Sequence, residues 1–87
     1  MLSIIIPARN EADNLRDIFN YFNTKLVNVN FEVLIINDFS DDNTLDSAKK
    51  LFDSNRSFKI FDNKRKGLGG AINLGIEKSS GNKIAIM

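Results

Sequence analysis

The stretch Phe31-Glu32-Val33-Leu34-Ile35-Ile36-Asn37, followed by Asp38-Phe39-Ser40-Asp41-Asp42-Asn43-Thr44, decides the fold. Its first part is a nearly unbroken apolar run with little alternation. Such a run suits a strand covered on both faces, as in a parallel sheet. Its second part is polar and rich in turn formers, and it opens a new helical pattern.

Three further apolar runs flank this one. They are Leu2 to Ile6, Phe58 to Phe61 and Lys83 to Met87. Helical patterns separate the four. Leu15, Ile18, Phe19, Phe22 and Leu26 form the first stripe, with Asn10 or Glu11 near its start. Leu45, Ala48, Leu51 and Phe52 form the second, with Asp42 or Asn43 as its N-cap. Leu68, Ala71, Ile72 and Ile76 form the third, and Gly81 is expected to stop it. The order β-α-β-α-β-α-β predicts an α/β fold. Its three layers are a mostly parallel sheet with helices on both faces, joined by right-handed crossovers. Pro7, lacking an N–H, is expected to end the first strand.

Composition bounds the rest. With 87 residues the chain is at most one small domain, residues 1–87. Twelve basic and eleven acidic side chains leave a net charge of +1, which gives no reason to invoke nucleic acid or an anionic membrane. No cysteine is present, so disulfides and thiolate metal sites are excluded. No histidine is present, which removes the commonest general base and metal ligand. No apolar run approaches the roughly 20 residues of a membrane span, and the N-terminus lacks the pattern of a signal peptide. The last strand runs into Met87, which suggests a truncated chain.

In a parallel α/β sheet, ligands bind beyond the carboxyl ends of the strands. The informative residues are therefore those after each strand. Pro7, Ala8, Arg9 and Glu11 follow the first, Asn37 and Asp38 the second, and Asp62 to Gly70 the third. The glycine segment Lys64 to Gly75 invites a phosphate-loop reading, but both familiar patterns fail. Gly67 and Gly69 begin a G-x-G-x-x-G, and its third position is Ile72. Gly70 and Gly75 have the Walker separation, and Ile76 and Glu77 follow in place of Lys-Ser/Thr. What is left is a basic loop that opens a helix. Its N–H groups and cations either face a phosphate or form a glycine turn with solvated lysines. Asp38 is either a carboxylate that receives a base or ribose, or a turn former beside Ser40 and Asp42. Ala8 leaves the backbone open to a flat ligand. Glu11 near a helix start is favoured by the helix dipole whatever else it does.

Taken together, SIIIPARNEADNL, EVLIINDFSDDNT and KGLGGAINLGIEKSSGNKIAIM resemble the inverting family 2 glycosyltransferases of GT-A fold. The KGLGGA segment resembles the branch of dolichyl- or polyprenyl-phosphate sugar synthases, such as dolichyl-phosphate mannose synthase. The resemblance spans almost the whole chain. It implies a UDP- or GDP-sugar donor, an acceptor that includes lipid phosphates, no nucleic acid, and a divalent cation, Mn or Mg. By motif, Pro7, Ala8, Arg9 and Glu11 match the segment lining the nucleoside. Asp38 matches the aspartate on the base, with Asn37 beside it able to hydrogen-bond the base. Lys66 and Gly67 match the loop near the base and phosphates. Asp42 and Thr44 match the turn and helix start.

Two departures stand out. Where the family often has Asp-Asp-Gly-Ser, this chain has Asn37 for the first Asp and Phe39 for Gly. The family's metal-binding Asp-x-Asp follows the strand that Lys83 to Met87 resembles. The resemblance thus puts the metal ligands, acceptor site and catalytic base outside this chain, and implies no turnover from these 87 residues alone. It implies a cytoplasmic location, with any attachment to the cytoplasmic face of a membrane carried by other segments.

The rival readings are weaker. A sugar-phosphate nucleotidyltransferase calls for a glycine-rich basic loop after the first strand. A non-catalytic signalling module of receiver type calls for an acidic cluster there and a phosphorylatable Asp after the third. A Rossmann dehydrogenase fails the glycine test.

Overall fold

The computed structural model describes residues 1–9, 12–37, 43–53, 55–63 and 68–87. Four strands, β1 (Leu2–Ala8), β2 (Phe31–Asn37), β3 (Phe58–Asp62) and β4 (Lys83–Ile86), alternate with three helices. These are α1 (Leu15–Lys25), α2 (Thr44–Phe52) and α3 (Leu68–Lys78). The strands form one sheet in the order β3-β2-β1-β4, and every described pairing is parallel. The α/β reading is borne out.

The topology follows from the connections. The chain steps from β1 to β2 to β3 in one direction, then returns past both to place β4 beside β1. Crossovers of one hand put helices on one face when stepping outward and on the other when returning. Two separate cores result. On one face Ile4, Val33, Ile35 and Phe58 pack with Leu15 and Phe22 of α1 and Ala48 and Phe52 of α2. On the other, Ile5, Leu34 and Ile36 pack under Ala71 of α3, with Leu74 partly buried beside them. β2 has helices on both sides, so all its residues except Phe31 are buried. This is the physical reason for its apolar run from Val33 to Ile36. The first core is tightened by Phe19, whose ring lies 4.7 Å from that of Phe58 and 5.8 Å from that of Phe52.

Three local expectations need correction. Pro7 does not end β1, which continues to Ala8. The Ile5 carbonyl accepts the Met87 N–H at 3.0 Å, so Ile5 turns its polar groups toward β4. Pro7, two residues on, turns the same way, and β4 pairs with β1 only as far as Ile5. The missing N–H therefore interrupts no bond to β2, which pairs with β1 through Ala8.

The stripe on α3 is also different. Leu68 and Ile76 are exposed, while Ala71 and Gly75 are buried. A Cβ on Gly75 would collide with the Ile5 side chain, so the helix approaches the sheet through its smallest residues. Hydrophobicity marks the long side chains, but closeness selects the small ones.

Gly81 does not stop α3 by adopting a left-handed conformation. The helix ends at Lys78, and Ser79 folds back, its hydroxyl donating to the Ile76 carbonyl at 2.7 Å. Gly81 is needed because a Cβ there would lie 2.5 Å from the Met1 carbonyl oxygen and the Ser3 hydroxyl.

At the other helix starts, Asn10, Glu11 and Asp42 lie outside the described residues. A single 3-10 turn, Ala12–Asn14, precedes α1. Asn43 holds the N-cap position of α2 through its backbone, its carbonyl accepting the Ser47 N–H at 2.9 Å, with no capping side-chain bond.

Candidate functional site at the carboxyl edge of the sheet

The register aligns the last residues of three strands. Ala8 pairs with Asn37, and Asn37 pairs with Asp62. Parallel pairing makes this row the carboxyl edge of the sheet, where ligands of open α/β folds bind. Asn37 is buried, and Asp62 is exposed. The Asn37 Nδ2 donates to the Asp62 carboxylate at 3.2 Å. Directly beyond, the Asn63 N–H donates to the Asn37 carbonyl at 2.7 Å, and Asn63 is itself 1 % exposed. The tips of β2 and β3 are thus joined by a backbone bond and a side-chain bond.

The site residues expected from the sequence divide in two. Pro7, Ala8, Arg9 and Asn37 all reach this edge. Pro7 is half-buried, Arg9 is exposed, and the Ala8 methyl packs into the α1/α2 core. Any ligand contact by Ala8 is therefore through its backbone. Glu11, Asp38, Lys66 and Gly67 lie outside the described residues, as do Asp42 and Phe39. Asp62 and Asn63 fall in the Asp62 to Gly70 segment marked as informative, but neither carries a role of its own in the sequence reading. Register singles them out: Asp62 closes β3 opposite Asn37, and Asn63 follows directly.

The opposite, amino edge carries the buried charge. Glu32 is 2 % exposed and accepts the Ser3 hydroxyl at 2.6 Å, the Ser80 N–H at 2.6 Å and the Lys59 Nζ at 3.1 Å. Burial pushes its pKa up. The bonds from Ser3, Ser80 and Lys59, with the Lys59 charge, outweigh burial and hold it below the usual carboxylate value. Five residues of strand, about 16 Å, separate Glu32 from Asn37. Glu32 therefore belongs to the scaffold and not to the ligand edge.

Among the described residues, no group of three or more His, Cys, Asp or Glu side chains is placed to hold a metal ion. An open groove of about 430 Å³ runs between α1 and α2, lined by Leu15, Arg16, Ser47, Lys50 and Leu51, and the strand tips take no part in it. No helix among the described residues is long and apolar enough to cross a membrane.

Comparison with known proteins now identifies the family. The model of glycosyl transferase family 2 matches residues 3–87. The chain belongs to that family. It is 33 % identical over 86 residues to a dolichol-phosphate mannosyltransferase of Pyrococcus furiosus, covering 99 % of this chain and 24 % of that protein. Among solved structures, S. aureus TarS in complex with UDP-GlcNAc superposes with a TM-score of 0.82 at 21 % identity, over 99 % of this chain and 25 % of that one. The mannosyltransferase PcManGT from Pyrobaculum calidifontis, in complex with GDP-Man and Mn²⁺, superposes with a TM-score of 0.80 at 18 % identity, over 95 % and 25 %. The fold is that of the GT-A glycosyltransferases, and the family 2 chain described here spans about a quarter of the length of these relatives.

Proposed function

We propose that residues 1–87 are the donor-binding part of a glycosyltransferase that moves a sugar from a nucleoside-diphosphate sugar to an acceptor. The observation that carries this reading is the family match over residues 3–87, on a sheet whose strand tips Ala8, Asn37 and Asp62 stand in one row. In this reading Pro7, Ala8, Arg9 and Glu11 line the nucleoside, and Asn37 and Asp38 take the base. Lys66 and Gly67 lie toward the diphosphate, where a cation and backbone N–H groups offset its charge. The donor is a UDP- or GDP-sugar, as in the TarS and PcManGT complexes. The acceptor is a polyprenyl phosphate, by likeness to the dolichol-phosphate mannosyltransferase.

Sugar transfer leaves a nucleoside diphosphate. A divalent cation, when bound, neutralises that leaving group. In this reading its ligands lie in other parts of the protein, as the family resemblance implies. The contribution of this chain is to bind and orient the nucleoside. The test is titration of the intact protein with UDP and GDP, with and without manganese. Saturable binding of one of them is expected, tighter with manganese. Absence of binding to either under both conditions overturns the reading.

A further inference from the structure

The two ends of α3 are held very differently. Just past its carboxyl end the chain is clamped: the Ser80 N–H donates to Glu32 at 2.6 Å and the Gly81 N–H to the Ser3 hydroxyl at 2.8 Å. The middle of the helix is seated on the sheet. Ala71 is fully buried, and Gly75 lies so close to Ile5 that a Cβ would collide. The first turn, Leu68-Gly69-Gly70, has no such hold. Leu68 is 64 % exposed, although it is the one long apolar side chain there, and a Cβ on Gly69 would meet nothing within 4 Å. Gly70 is half-buried. Two adjacent glycines also bring the weakest helix propensity short of proline. A turn made of such residues, with few buried contacts, opens at little cost.

We propose that the first turn of α3 is a conformational device: it is only partly wound in the free protein and winds fully when a nucleotide is bound. This rests on the donor-site reading above and deepens it. In sequence the turn directly continues Lys66 and Gly67, which that reading places toward the diphosphate. Tying those residues to a ligand restricts the chain that enters α3, so less conformational freedom remains to be lost when the turn winds. The body of the helix from Ala71 onward stays seated throughout. Affinity is lowered by the fraction of free molecules in which the turn is unwound. The glycines therefore weaken the hold on the nucleoside diphosphate left after transfer, which must leave before the next donor enters.

The experiment needs no variant for its first arm. The amides of Ile72, Asn73 and Leu74 donate to the carbonyls of Leu68, Gly69 and Gly70 when the turn is wound. Hydrogen exchange at these three amides is measured in the intact protein, with and without UDP or GDP, whichever the wild type binds. Without nucleotide they are expected to exchange roughly tenfold faster than those of Ile76 to Lys78, and to slow by a similar factor when it is added. The second arm compares affinities. Gly69→Ala adds helix propensity in open space, and is expected to bind the nucleotide about three- to fivefold more tightly, through slower dissociation. Asn73→Ala makes the same kind of change at an exposed position in the seated body, and is expected to leave affinity within about 1.5-fold. Amides of Ile72 to Leu74 as slow as those of Ile76 to Lys78 before nucleotide is added overturn the proposal. So does a Gly69→Ala variant with unchanged affinity, or one matched by Asn73→Ala. A wild type that binds neither nucleotide overturns the donor-site reading beneath it, while exchange in the free protein still decides whether the turn is wound.

Discussion

The Ser80 backbone N–H donates to the Glu32 carboxylate at 2.6 Å, joining the turn after α3 to the second residue of β2 across 48 positions of sequence. The same carboxylate holds Ser3 of β1, whose hydroxyl in turn accepts the Gly81 N–H at 2.8 Å. One buried acid therefore ties together two central strands and the return crossover. Glu32→Ala leaves the Ser3 hydroxyl and Ser80 N–H without their acceptor. Loss of about 2–3 kcal/mol of unfolding free energy is expected, the scale for hydrogen bonds to a charged group. Urea denaturation measures it. A loss below about 0.5 kcal/mol would show that the network adds nothing.

The same group sets a pH dependence. Its pKa in the folded chain lies below the ordinary value of 4.5, so the unfolded chain binds the proton more readily. Stability from Glu32 is therefore fully present above about pH 4.5 and is lost as pH falls through the lower folded value. Glu32→Gln, which cannot titrate, is expected to flatten this part of the acid limb. Denaturation midpoints of both proteins, followed downward from about pH 6, provide the check. Parallel acid limbs would remove Glu32 as the cause.

Two glycines of α3 make a paired prediction. A Cβ on Gly75 would meet the side chain of Ile5, which is fully buried and has nowhere to move. Overpacking of about 1–3 kcal/mol is set against about 1 kcal/mol of helix propensity, so Gly75→Ala is expected to destabilise by about 1 kcal/mol. A Cβ on Gly69 meets nothing within 4 Å. There the propensity gain stands alone, and Gly69→Ala is expected to stabilise by about 0.5–1 kcal/mol. Melting temperatures moving in opposite directions support this account of how α3 seats on the sheet.

Much of this architecture is legible in the residues. The runs Leu2 to Ile6 and Phe31 to Asn37 announce central strands because two covered faces demand apolar side chains at most positions, with Ser3, Glu32 and Asn37 as hydrogen-bonded exceptions. The stripes of α1 and α2 are legible for a similar reason: Leu15, Phe22, Ala48 and Phe52 recur where one face of each helix meets the sheet. Reading fails where distance outweighs hydrophobicity. Gly75 and Gly81 are fixed by atoms from the first strand and the residue before it, which no local pattern encodes. Pro7 misleads because whether a missing N–H matters depends on which neighbour the strand turns toward. The Asn37–Asp62 bond is invisible for a related cause: its members are 25 residues apart and meet only through the β2–β3 register. The family likeness, by contrast, rests on loop residues in fixed order after successive strands, and the match over residues 3–87 confirms it.

Asp38 follows Asn37, the end of β2, and in the proposed function it receives the base. Asp38→Ala removes an ionised acceptor from a partner that has given up its water to bind. Nucleotide affinity is expected to fall by about 1–3 kcal/mol, or roughly 5- to 150-fold in Kd. Stability is expected to change little, within about 0.5 kcal/mol, the range for a polar residue whose role is to meet a ligand. The two measurements, calorimetric titration with UDP or GDP and thermal melting, separate the roles. A weakened complex with an unchanged melting point assigns Asp38 to the ligand. An unchanged complex reduces it to a residue that shapes the turn before α2.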